Sequence, residues 1–65
     1  MKTVYTERIG DALGVVRLEK YGYTYKIKYK GRTVAGSIVY LADKKLAIER
    51  MQADLYLTTK QERLF

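Results

Sequence analysis

For much of its first forty residues the chain alternates apolar and polar side chains with a period of two, the signature of strands with one buried face. The run Tyr23-Thr24-Tyr25-Lys26-Ile27-Lys28-Tyr29 does so without exception. Thr3 to Ile9, rich in β-favouring Val4, Tyr5, Thr6 and Ile9, reads as a first strand, and Val15 to Lys20 as a second. Tyr23 to Tyr29 is the third and Arg32 to Tyr40 the fourth. Gly10 to Gly14, Tyr21-Gly22 and Lys30-Gly31 are the expected turns, glycine supplying the positive φ of tight hairpins. Asp43 then reads as a helix N-cap, Lys44 to about Leu57 are good helix formers, and Thr58-Thr59 should end the helix. The expected fold is α+β: a four-stranded antiparallel meander over about residues 3–40, one C-terminal helix over about 43–57, and a tail over 58–65.

Writing out the pairing tests this reading. Two-residue turns at Lys30-Gly31 and Tyr21-Gly22 set Ile27 opposite Val34, Lys26 opposite Ala35, Tyr25 opposite Gly36, Leu18 opposite Tyr25, Arg17 opposite Lys26 and Val16 opposite Ile27. A four-residue Gly10–Leu13 loop adds the first strand. Because side chains alternate between faces, one face collects Tyr5, Ile9, Val16, Leu18, Tyr23, Tyr25, Ile27, Tyr29, Val34 and Ile38. The other collects Thr6, Arg8, Arg17, Glu19, Thr24, Lys26, Lys28, Thr33, Ala35 and Ser37. A wrong register scrambles such a segregation. At about 100° per residue, Leu41, Ala47, Ile48, Met51 and Leu55 form the stripe expected to cover the tyrosine face. A second stripe, Ala42, Leu46, Ala53 and Leu57, is either a dimer or protein interface, exposed, or covered by Leu64 and Phe65.

Composition narrows this picture. Sixty-five residues make one small domain, near the size at which a single core is marginal, so a homodimer is one expectation. The chain lacks cysteine and histidine, which removes thiol chemistry, imidazole catalysis and the usual transition-metal ligands. No cofactor, no metal and no membrane are expected, and the absence of an apolar leader in Met1 to Tyr5 gives a cytoplasmic expectation. The seven acids are scattered and no phosphate-binding glycine loop occurs, so an enzyme is not expected.

Charge then points to a surface. The formal charge is +6 with a pI near 9.7. Arg17, Lys20, Lys26, Lys28, Lys30 and Arg32 fall within one 16-residue stretch beside a single acid, Glu19. Interleaved tyrosines and lysines would suit a single-strand binder stacking bases, but the register sends Tyr23, Tyr25 and Tyr29 to the helix side. The expected interface is therefore the open face: Arg8, Arg17, Thr24, Lys26, Lys28 and Thr33, with Lys30 and Arg32 projecting from the adjoining hairpin tip. Duplex DNA is the leading partner. The alternative is an acidic protein surface, as for a small inhibitor blocking a nucleic-acid enzyme.

Gly22-Tyr23-x-Tyr25 opening the central strand, the Lys30-Gly31-Arg32 turn, and Leu41-x-Asp43-x-x-x-Ala47 leading into the helix together span Val15 to Leu57. In these features the chain resembles the arm-type DNA-binding domains of phage tyrosine integrases and the plant AP2 domains. It departs from them in its additional first strand and in having no tryptophan. The resemblance implies a phage or mobile-element origin and a sheet face that enters the DNA major groove, with Arg17, Thr24, Lys26, Lys28 and Thr33 facing that groove.

Overall fold

The computed structural model describes residues 2–62. Four strands, β1 (Lys2–Ile9), β2 (Ala12–Glu19), β3 (Gly22–Tyr29) and β4 (Arg32–Gly36), form one antiparallel sheet in the order β1-β2-β3-β4, followed by helix α1 (Lys44–Glu62). The expected α+β meander with one C-terminal helix is borne out. All three hairpin connections have two residues. At Lys30-Gly31 both φ values are positive, 51° and 85°, as a type I′ turn requires. At Gly10-Asp11 only the glycine is positive, at 60°.

At the first two turns the register departs from expectation in ways that preserve the faces. The first turn is Gly10-Asp11 rather than a four-residue loop, so β2 begins at Ala12 and the shift is by two residues. The second turn is Lys20-Tyr21, one residue before the one expected, and again the partners shift by two: Val16 faces Tyr25 and Gly14 faces Ile27. A two-residue slip returns every side chain to its own side. Gly22 is therefore the first residue of β3, at φ 141°, and not a turn residue. A Cβ on it would lie 2.8 Å from the Leu41 carbonyl oxygen, so the glycine makes room for the segment leading to the helix.

β4 ends at Gly36 instead of reaching Tyr40. A bulge between Lys28 and Ile27 of the ladder brings Ala35, not Val34, opposite Ile27, and Gly36 opposite Lys26 rather than Tyr25. Val34 is consequently exposed, Ala35 packs against the core, and Ile38 stands 99 % exposed instead of on the buried face. Beyond Gly36 the chain forms an arch over Ile38–Tyr40, pinned at both ends to β3. Ser37 N–H donates to the Tyr25 carbonyl (3.0 Å) and the Ser37 hydroxyl accepts from Tyr25 N–H (3.1 Å). On the far side Tyr23 and Leu41 exchange both backbone hydrogen bonds at 2.7 and 2.8 Å.

Asp43 caps α1 as expected: its carboxylate accepts from Lys45 N–H at 3.1 Å and its carbonyl from Ala47 N–H at 3.0 Å. Thr58 and Thr59 do not end the helix. Their hydroxyls donate back to the carbonyls of Asp54 and of Leu55 and Tyr56, satisfying themselves within the helix, which runs on to Glu62. Ala47, Met51 and Leu55 are fully buried against Ala12, Val16, Tyr25 and Ile27, with Leu41 and Ile48 packed beside them. Gly14, expected in a turn, is instead a strand residue under the helix. Its missing side chain admits Met51, whose sulfur would lie 2.1 Å from a Cβ placed there.

Candidate nucleic-acid interface

The helix covers one side of the sheet, and the ladder fixes what stands on the other. Pairing Thr3 with Arg17, Thr6 with Val15, Arg8 with Leu13, Arg17 with Thr24, Val15 with Lys26, Leu13 with Lys28 and Lys28 with Thr33 puts these residues on one face. The expected residues Arg8, Arg17, Thr24, Lys26, Lys28 and Thr33 are thus brought together. Lys30 projects from the turn, its Nζ 5.4 Å from the Tyr29 ring centroid. Arg32 is set apart from them: it lies opposite Tyr29, in register with the helix-covered face. Arg17 does not stand opposite Lys26 as expected, since Thr24 and Val15 are their respective partners; the two cations are diagonal neighbours, farther apart than a directly opposed pair.

Three contributors lay outside the expected site. Leu13 and Val15 occupy the centre of the open face, half-buried among the cations. The adjacent pair Val15-Val16 carried that signal, because neighbouring strand residues must face opposite ways. Thr3 joins through the bulge at Val4. Thr3, Val15, Arg17, Thr24, Tyr25, Lys26 and Lys28 line a depression of about 200 Å³. A longer groove of about 510 Å³ runs beside it along β3 and β4, lined by Glu19, Thr24, Lys26, Thr33 and Ser37 among others. Among the described residues Glu19 is the only acid on this face, and it stands at its end, opposite Gly22. The Nε of Arg17 is shut off from solvent and has no hydrogen-bond partner among the described residues. Turning it toward an oxygen acceptor would gain a bond without breaking one at that atom.

The opposite face fastens the cationic one. The Tyr25 hydroxyl donates to Asp54 Oδ2 of α1. Burial, and then that carboxylate, push its pKa up to about 12. Tyr5 donates to Glu7 Oε1 at 2.7 Å, and Gln52 Nε2 of the helix donates to the same oxygen at 3.0 Å. These two bonds hold Glu7 below the usual carboxylate range, and the bond to Glu7 with partial burial raises Tyr5. Glu7 is thereby engaged on the helix side, away from the open-face cations.

Of the second stripe, Leu46 (37 %) and Leu57 (52 %) are exposed, as is Ala53. Ala42 precedes the helix and is not part of it. Leu64 and Phe65 lie outside the described residues. Among the described residues there is no cluster of three potential metal ligands, and no helix is long and apolar enough to cross a membrane. Comparison of the chain with protein-family models, curated proteins and solved structures finds no match.

Proposed function

We propose that this protein binds nucleic acid, duplex DNA in the first place, through the open face of its sheet. The observation that carries this reading is the company the cations keep. Arg8, Arg17, Lys26 and Lys28 share one face with the hydroxyls of Thr3, Thr6, Thr24 and Thr33, and a single acid stands at its end. Cations that neutralise phosphates release condensed counterions, and hydroxyls donate to phosphate oxygens, so the set matches the chemistry of a sugar-phosphate backbone. A two-stranded ribbon fits a major groove about 12 Å wide. In this reading β2 and β3 enter the groove, while Arg8 on β1 and Thr33 on β4 meet its phosphate walls. Leu13 and Val15 offer apolar contact to thymine methyl groups, and Arg17, on β2 within the groove, is placed to read guanine bidentately.

The three tyrosines of β3 take no part in stacking, because Tyr25 is buried and Tyr23 and Tyr29 pack against the core, whereas Tyr21 in the β2–β3 turn is exposed. Duplex should therefore be preferred over single strands. The test is a titration of labelled duplex and single-stranded DNA at low and moderate salt. A steep loss of duplex affinity with salt supports the reading, and an affinity indifferent to salt sinks it. The half-buried Leu13 and Val15 also suit a protein partner with an acidic rim. A partner retained after nuclease treatment would identify that case.

A further inference from the structure

The end of the sheet around the β2–β3 turn differs in chemistry from the rest of the molecule. From Thr33 to Ala42 the chain carries no charged residue, in a protein whose residues are 31 % charged. Within this stretch Val34 is turned outward by the β4 bulge, and the arch presents Ile38 (99 %) and Val39 (66 %) to solvent. Tyr40 stands edge-on to Tyr21 of the neighbouring turn, their ring centroids 5.6 Å apart, and Tyr21 is itself 70 % exposed, with the Lys20 ammonium 5.5 Å from its ring at the rim of the patch. Four hydrogen bonds to the backbone of Tyr23 and Tyr25 hold the arch from both sides, so the exposure is built into the fold.

We infer that this margin of β4 is the contact between two copies of the chain. Five exposed side chains of these sizes present on the order of 600 Å² of largely apolar surface, at the upper end for a monomer and near the ~800 Å² each partner gives to a standard interface. Charge selects the occupant. Two molecules each at +6 repel almost everywhere, and the uncharged stretch is where a second copy meets the least repulsion. The other candidate contact, the Leu46–Leu57 stripe, has Arg50 in its middle. The sheet's two margins differ in the same sense. β1 carries Lys2, Glu7 and Arg8, charges of the kind that deter pairing, whereas β4 carries only Arg32, beside its turn.

Antiparallel apposition of two β4 margins about a two-fold axis normal to the sheet leaves both open faces on the same side. The cations of one copy then continue those of the other, giving a surface twice as wide as either chain supplies. The contact itself is independent of what that surface binds.

Sedimentation in nucleic-acid-free buffer tests it. The wild-type chain is expected to sediment at twice 7.6 kDa, and Ile38→Asp with Val39→Asp at the single mass with an unchanged far-ultraviolet spectrum. Leu46→Asp should leave the dimer intact. A wild-type monomer at every soluble concentration, a dimer that survives the Ile38 and Val39 changes, or one lost with Leu46→Asp overturns the proposal. A second measurement does not depend on breaking the contact. The chain has no cysteine, so Ile38→Cys should form a covalent dimer on mild oxidation much faster than Leu57→Cys. Equal rates would refute the arrangement.

Discussion

The two faces of this sheet are built from the same strands and obey opposite rules. On the helix side Val16, Tyr25, Ile27, Ala47, Met51 and Leu55 interlock, and a glycine is required at position 14 because Met51 fills the space above it. On the open side Lys26 and Lys28 are exposed, while their neighbours Tyr25 and Ile27 on β3 are buried. One face therefore holds stability in shape, while the other holds charge whose removal the fold tolerates. The lesson is that alternate residues of a single strand, Tyr25 and Lys26 for instance, can be assigned to separate properties and tested separately.

The largest break should come at Tyr25. Replacing a buried aromatic with alanine costs about 3–5 kcal/mol, comparable to the whole stability of a domain this small, so Tyr25→Ala should be unfolded in circular dichroism. Gly14→Ala forces a methyl group into the Met51 thioether and should cost about 1–3 kcal/mol by urea denaturation. Tyr25→Phe keeps the ring and loses the hydroxyl bond to Asp54, with an expected cost of about 1 kcal/mol.

The same hydroxyl gives an alkaline test. The raised pKa means the folded state keeps a proton that the unfolded chain releases near pH 10. The contribution of this hydroxyl to stability should be constant below that value and fall as pH climbs from about 10 to about 12, and Tyr25→Phe should remove that part of the fall. Smallest for the fold is Lys26→Ala with Lys28→Ala, expected within about 0.5 kcal/mol of wild type per site. On the binding side each lost lysine should lower the salt dependence of duplex affinity by about 0.9 in log–log slope. If the lysine pair unfolds the protein, or Gly14→Ala leaves it untouched, the contrast between the faces fails.

How much of this was legible in the sequence follows from what each feature depends on. The faces were legible because alternation is local, and the slips at Gly10-Asp11 and Lys20-Tyr21 were of two residues, which parity forgives. The bulge at Val34 was not legible, and it exchanged the sides of Val34 and Ala35. Ile38-Val39-Tyr40 reads as strand by composition, yet Ser37 and Leu41 satisfy β3 on either side and leave those three as an arch. Gly22 looked like a turn residue, and its actual reason, the close passage of Tyr40 and Leu41, is a contact with chain eighteen or more residues away. The placement of Arg8, Arg17, Lys26 and Lys28 followed from parity. The depression beside Arg17, Lys26 and Lys28 did not, since Val15 and Thr3 also line it and Thr3 arrives there through the pairing of β1 with β2.

The double hydrogen bond between Tyr23 and Leu41 reaches beyond the arch it closes. It ties the residue two before the helix cap to an interior strand, so the first turn of α1 is anchored through the sheet as well as through its own side chains. Amide exchange along the helix should accordingly be graded. Protection should be greatest near Ala47 and Met51, where opening requires β3 to let go, and should decline toward Lys60, where a turn can fray without disturbing any strand.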